Sequence, residues 1–147
     1  ENSLFGGLVR AFWRGPKPAT ERDYATLGAE LEAVIRAVRA RAPQAVVVVA
    51  AYPALLPQAG SCDALGLSAS EVALMRDVGD RLAAVTGAAA QAGGAVFIDM
   101  NRLGQAHDPC SASPWTRGWK QAGAAPFHPT RLGAEAVAEA IAGQLAQ

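Results

Sequence analysis

The two histidines are the clearest candidates for chemistry in this chain, because imidazole is the side chain that titrates nearest to neutral pH. His128 stands directly before Pro129 and Thr130, a pair that predicts a rigid corner at the start of a helix. A general base needs such a fixed orientation, so His128 is the first candidate for that role. A solvent-exposed histidine at a helix entry is the alternative that an isolated His-Pro pair leaves open. His107 lies in a loop-like stretch, where we expect hydrogen bonds to the loop backbone rather than chemistry.

The two cysteines, Cys62 and Cys110, also lie in loop-like sequence. They are too few for a metal cage and too far apart for a Cys-x-x-Cys redox pair. Two interpretations remain: free thiols, or a pair whose bond would close a loop of about fifty residues and stabilise the fold by roughly 4 kcal/mol. A disulfide would imply an oxidising compartment. The histidines offer no compact metal-ligand spacing either, so we predict neither a metal nor a cofactor.

The composition predicts one folded domain. The chain has 147 residues, of which 51% are hydrophobic and 18% charged. Its 13 basic and 13 acidic side chains balance, which gives no electrostatic case for a nucleic-acid partner. No run approaches the roughly 18 apolar residues of a membrane span, so we expect none. The chain shows neither an initiating Met nor a signal-peptide pattern, and we expect its true beginning to lie elsewhere.

Helices and strands alternate along the chain. Apolar residues at helical spacing predict three helices, at 20–42, at about 70–91 and from about 130 onward. Two β-branched runs, 45–51 and 95–99, predict strands that are buried on both faces, as in a parallel sheet. Residues 101–127 have no helical period and predict a long loop. This order favours an α/β fold with a doubly wound parallel sheet.

The predicted sheet is incomplete. Two parallel strands do not form a stable sheet alone, and the run from Val46 to Val49 is too apolar for an open edge. We therefore expect further strands upstream of this chain or on another chain. Ligands of such sheets bind beyond the carboxyl ends of the strands, which lie here near Tyr52 and Asp99.

The block 127–136, Phe-His-Pro-Thr-Arg-Leu-Gly-Ala-Glu-Ala, resembles the C-terminal block of SGNH (GDSL-type) esterases and lipases, whose His-Pro pair carries the catalytic base. Three further stretches resemble the secreted esterase and lipase branch in order and spacing: the helix end and strand at 41–53, Cys62, and the His-x-x-Cys loop 107–110 with Trp115 downstream. The resemblance covers nearly the whole chain. It implies a three-layer, flavodoxin-like doubly wound sheet without its first strands, with residues 1–147 as the C-terminal portion of a single domain.

The resemblance also implies roles for individual residues. His128 would be the general base, and Cys62 and Cys110 would form a disulfide in a secreted or otherwise extracytoplasmic protein. Asn2 resembles the oxyanion donor of the Gly-x-Asn-Asp block, although Ser3 stands where Asp is usual. A terminal Asn without a role is the alternative. The Gly-Asp-Ser block with the nucleophile is not in this chain, so we expect a complementary N-terminal segment or chain to supply it.

Two features of the implied site stay open in the sequence. The family often places an Asp three residues before the His, but Ala125 stands there. A Ser–His dyad would remain, with a backbone carbonyl near Ala125 holding Nδ1, and Asp99 and Asp108 are the alternatives. Loop side chains that could line an acyl pocket, ordinary loop packing being the alternative, are Trp115, Phe127 and Leu55, with Leu56 and Trp119.

The resemblance implies a serine esterase or lipase. Such an enzyme hydrolyses carboxylic, lipid-like acyl esters through an acyl-enzyme, or transfers the acyl group when an alcohol replaces water. Its ligand would be a small-molecule or lipid ester. A non-catalytic scaffold or binding subunit that has lost its nucleophile is the alternative, and a Gly-Asp-Ser segment accompanying this chain would separate the two.

Overall fold

A computed structural model describes residues 20–119 and 125–146. Its elements are, in chain order, helix α1 (Glu21–Arg41), strand β1 (Val48–Ala50), helix α2 (Ala69–Gly93), strand β2 (Val96–Ile98), the short helix α3 (Met100–Leu103), a 3₁₀ turn (Gln105–His107) and helix α4 (Arg131–Leu145). The three long helices and both strands lie where the sequence predicts them, and the α/β class is confirmed.

Capping boxes begin the first two long helices. Thr20 Oγ1 accepts the Asp23 N–H, while the Asp23 carboxylate accepts the Thr20 N–H at 2.8 Å. The N–H and the hydroxyl of Thr20 both donate to the Asp23 carboxylate, and these two hydrogen bonds hold the pKa of Asp23 below its ordinary value. Ser68 and Glu71 form the same reciprocal pair ahead of α2. Each box satisfies N–H groups that the first turn of a helix cannot pair.

Helices α1 and α2 pack along each other. Arg81 of α2 forms an ion pair with Glu21 and lies over the ring of Tyr24, 4.4 Å from its centroid. Tyr24 and Ile35 are the buried side chains of α1, both 5% exposed. The predicted inner face of α1 is only partly buried, because Val34 on the same face is 61% exposed.

The strands β1 and β2 form a parallel pair in the register Val48 to Val96 and Ala50 to Ile98. Within residues 20–119 and 125–146 neither strand has a second neighbour. A Cβ at Gly87 would lie 2.9 Å from the Phe97 ring, so α2 packs closely on the face of β2 that carries Phe97. The expectation that the first β-branched run is buried on both faces is not met at Val46, which is 63% exposed beside the unpaired edge of β1.

The segment after β2 differs from the long irregular loop predicted for 101–127. Helix α3 and the 3₁₀ turn occupy its start, because the Asp99 carboxylate accepts the Arg102 N–H at 3.0 Å and caps the first turn. A disulfide joins Cys62 to Cys110 with an S–S distance of 2.07 Å, as expected, and ties this segment to the loop after β1. No helix in the described part of the chain is long and apolar enough to cross a membrane.

Candidate active site

Backbone hydrogen bonds hold His128 in a fixed corner. Thr116 and Pro129 form an antiparallel bridge, in which the Arg117 N–H donates to the His128 carbonyl at 3.0 Å. Thr130 then begins α4: its Oγ1 accepts the Gly133 N–H at 3.1 Å and donates to the Pro114 carbonyl at 2.8 Å. The main chain on both sides of the imidazole is therefore anchored, as the Pro-Thr corner predicts.

The imidazole of His128 is oriented by a main-chain carbonyl. Its Nδ1 lies 2.9 Å from the carbonyl oxygen of Pro126. A carbonyl oxygen only accepts hydrogen bonds, so Nδ1 carries the proton, and Nε2 of the neutral ring keeps its lone pair. This is the kind of contact expected in the absence of an Asp at position 125. His128 as a whole is an exposed residue.

The two alternative orienting carboxylates are committed to other contacts. Asp99 caps α3 through the Arg102 N–H. Asp108 is 8% exposed and accepts the Cys110 N–H at 2.7 Å, which shapes the turn at the disulfide. Both are ordinary Asp positions at helix starts and turns. In the described structure the His128 ring therefore bonds to a main-chain carbonyl, while both of these carboxylates bond elsewhere.

His107 holds the loop together. Its ring stacks on the Trp115 indole with centroids 4.4 Å apart and planes 1° apart, and its carbonyl accepts the Trp115 N–H at 2.7 Å. Nδ1 lies 3.0 Å from the Ser113 carbonyl oxygen and 3.2 Å from Ser113 Oγ. The shorter contact requires a proton on Nδ1, so this nitrogen is not available to accept the Ser113 proton. The expected loop contacts of His107 are present.

The described serines all make local contacts. Ser61 donates to the Leu67 carbonyl at 2.7 Å, Ser68 and Ser70 lie at the start of α2, and Ser111 donates to the Asp108 carbonyl at 2.8 Å. No hydrogen bond joins any serine within 20–119 and 125–146 to His128. This part of the chain also holds no group of three His, Cys, Asp or Glu side chains that could bind a metal ion.

Comparison of the whole sequence with known families shows which family the chain belongs to. The GDSL-like Lipase/Acylhydrolase family matches residues 4–136, nearly the full length. The chain belongs to this family. A lipase from Streptomyces rimosus is 38% identical over 108 residues, which cover 74% of this chain and 40% of that protein. Lipase 1 from Streptomyces coelicolor is 34% identical over 119 residues, covering 78% and 43% respectively. The chain thus spans about two-fifths of the length of these curated relatives.

Solved structures of GDSL-like lipases share the fold. The phospholipase A1 from Streptomyces albidoflavus superimposes with a TM-score of 0.72 at 31% identity, covering 80% of this chain and 50% of that chain. The extracellular lipase from Streptomyces rimosus gives a TM-score of 0.65 at 37% identity, covering 74% and 46%. The predicted doubly wound α/β architecture of SGNH hydrolases is confirmed.

The side chains predicted to line an acyl pocket lie in different surroundings, and only some of them are near His128. Phe127 adjoins His128, and its ring lies 6.1 Å from that of Trp119, which is 62% exposed. Trp115 stacks on His107 instead. Leu55 lies in the loop after β1, next to Ala54, whose carbonyl accepts the Thr116 hydroxyl at 2.6 Å.

Asn2 lies outside the described residues. Two concave surfaces in the described part, of about 360 and 500 Å³, lie along α2 and include none of the side chains predicted to line an acyl pocket.

The sequence analysis does not predict one contact to the corner of His128, which is made by Tyr52. Tyr52 donates its hydroxyl to the carbonyl of Phe127 at 2.9 Å. The one signal for it in the sequence is its position just beyond β1, at the carboxyl end where ligands of such sheets bind.

Gly133 is the point at which α4 meets the loop that carries Trp115. A Cβ at Gly133 would lie 2.0 Å from the Trp115 carbonyl oxygen, a backbone atom that cannot swing aside. We expect Gly133→Ala to lower the free energy of unfolding by about 1–3 kcal/mol, the scale of overpacking. Urea denaturation measures it.

Gly143→Ala is the matched control in the same helix. Apart from its chain neighbours and the backbone of its own helix, a Cβ at Gly143 would have no described atom within 4 Å. The better helix propensity of Ala should therefore leave stability unchanged or raise it by up to about 1 kcal/mol. Equal effects of the two substitutions would contradict the close contact at Gly133.

Proposed function

We propose that this chain carries the general base of a serine hydrolase that cleaves carboxylic esters, and that His128 is that base. The observation that carries the proposal is the fixed imidazole: Nδ1–H bound to the Pro126 carbonyl leaves Nε2 as the acceptor at an exposed position. Membership of the GDSL-like lipase/acylhydrolase family gives this geometry its chemical meaning.

The nucleophile belongs, in this proposal, to a Gly-Asp-Ser segment that precedes residue 1 in the longer protein or lies on a complementary chain. Two observations support this division. The chain spans 40% and 43% of the two lipases described above. The outer edge of β1 has no partner strand within 20–119 and 125–146, and a parallel sheet of this class needs further strands there.

The reaction proceeds in two halves. The serine Oγ proton passes to Nε2 of His128 as Oγ attacks the ester carbonyl, and the resulting imidazolium returns the proton to the leaving alcohol. Water then repeats the sequence on the acyl-enzyme and releases the acid, or an alcohol takes the acyl group. The Pro126 carbonyl faces Nδ1–H throughout and stabilises the imidazolium by its dipole. Asn2 would donate its amide N–H to the oxyanion.

The acyl group is proposed to be lipid-like. Phe127 and the exposed Trp119 form an apolar pair beside His128, where the acyl chain of a bound ester would lie. Leu55 and Trp115 complete the proposed lining. The disulfide and the extracellular relative support an extracytoplasmic location.

A phosphonate ester that traps active serines tests this proposal. Added to the protein that contains this chain with its N-terminal segment, it should give one covalent adduct, which mass spectrometry of the digest locates on a serine before residue 1. The five described serines should stay unlabelled. An adduct on Ser113 would contradict the proposed division of the site. Absence of both an adduct and ester hydrolysis would instead favour the non-catalytic scaffold.

A further inference from the structure

Tyr52 reaches from the end of β1 to the corner that carries His128. Its hydroxyl donates to the carbonyl oxygen of Phe127 at 2.9 Å, across 75 positions of sequence. That carbonyl belongs to the peptide group joining Phe127 to His128. The hydrogen bond therefore fixes the orientation of the peptide that leads directly into His128.

Phe127 needs such an anchor because its backbone is strained. Its φ of 59° lies in the left-handed region, and no other non-glycine residue within 20–119 and 125–146 has a positive φ. A side chain with a Cβ adopts this conformation only where its surroundings hold it. Tyr52 is a contact from outside the corner that does so.

The strained residue lies inside the hydrogen-bonded ring that orients the imidazole. Nδ1–H of His128 bonds back to the Pro126 carbonyl, so the chain between donor and acceptor runs through Phe127. Its φ and ψ therefore set where Nδ1 meets the carbonyl. The Arg117 N–H fixes the far side by donating to the His128 carbonyl at 3.0 Å. Release of the near side would leave the ring free to lose the Nδ1 contact.

We propose that Tyr52 is a positioning residue, which holds the Phe127 peptide so that His128 keeps its proton on Nδ1 and its lone pair on Nε2. This inference rests on the proposed function of His128 as base. Partial burial raises the pKa of the Tyr52 phenol above its ordinary value, so the hydroxyl remains a donor at every pH at which an imidazole base works. If the hydrogen bond from Nδ1–H to the Pro126 carbonyl is weakened, the ring would populate the Nε2–H tautomer. In that tautomer Nε2 already carries a proton and cannot accept one from a serine.

The test is Tyr52→Phe, which keeps the ring and removes the hydroxyl, in the protein with its N-terminal segment. We expect kcat for a soluble ester to fall about tenfold while KM stays within about twofold, because orientation and not substrate binding is changed. Tyr24→Phe, at the one other tyrosine, which packs under Arg81, is the matched control and should leave kcat unchanged.

A second readout separates this inference from the proposed function. Nitrogen-15 NMR of the His128 ring should show the Nδ1–H tautomer in the wild type and in Tyr24→Phe, and a mixture of tautomers in Tyr52→Phe. The two changes together support the positioning role, and an unchanged kcat or an unchanged tautomer overturns it. If the wild type hydrolyses no ester, the proposed function fails, and the tautomer alone then decides whether Tyr52 orients the ring.

Discussion

His128→Ala should lower kcat/KM for ester hydrolysis by roughly 10⁴-fold or more, the scale on which a nucleophile–base pair loses activity when one member is removed. The loss follows from the proposed mechanism, in which Nε2 accepts the serine proton, because Ala offers no acceptor. Folding should be nearly unchanged, because the His128 side chain is exposed and the corner is held by main-chain hydrogen bonds from Arg117 and to Trp115. Initial-rate assays and thermal unfolding of the same sample give both results.

Added imidazole and the second histidine are the controls. Free imidazole should restore part of the activity of His128→Ala, since the cavity left by the side chain can admit the missing base. His107→Ala removes the stack on Trp115 and should cost mainly loop order, visible as a lower unfolding temperature. Hydrolysis that survives His128→Ala but disappears with His107→Ala would show that the proposed assignment of the base to His128 is wrong.

Replacement of both Cys62 and Cys110 by Ser should lower the free energy of unfolding by about 4 kcal/mol, because the bond restricts an unfolded loop of sequence separation 48. The effect has a structural route to the candidate active site, since Cys110 belongs to the same loop as His107 and Trp115. Guanidinium denaturation measures it.

A reductant provides the control for the disulfide. Dithiothreitol should destabilise the wild type by a similar amount and leave the double Ser variant unaffected. Two results would contradict a stabilising bond between Cys62 and Cys110. One is an equal response of both proteins to dithiothreitol, and the other is a wild type whose free energy of unfolding does not change when the bond is reduced.

Features set by near neighbours could be predicted from the sequence. The capping boxes of Thr20 and Ser68 each need one partner three residues away, so the pattern of residue types is sufficient evidence. The backbone partner of the His128 ring lies only two residues upstream, and the lack of an Asp at position 125 was enough to expect a carbonyl. Helix α3 was missed because four residues carry no helical period, and a single Asp cap at Asp99 is also typical of turns.

Some features set by distant neighbours could not be predicted. The positive φ of Phe127 has no signature in its own side chain, since glycine or asparagine is the residue type that marks such a position. The Tyr52 contact joins residues 75 positions apart, and no local pattern encodes it. Exposure of Val34 and Val46 was also not predicted, because spacing shows which side chains share a face and not what covers that face.

The carbonyl that orients His128 belongs to the main chain, and this changes how the site responds to mutation. Every residue type presents a carbonyl at position 126, so a library of side-chain substitutions contains no member that deletes this partner of Nδ1. The presence of the orienting group therefore depends on the backbone conformation at position 126 and not on which residue type is encoded there. A carboxylate in its place would gain a proton in acid, whereas a peptide carbonyl keeps its dipole. Direct removal calls for chemical synthesis, with the peptide unit itself replaced.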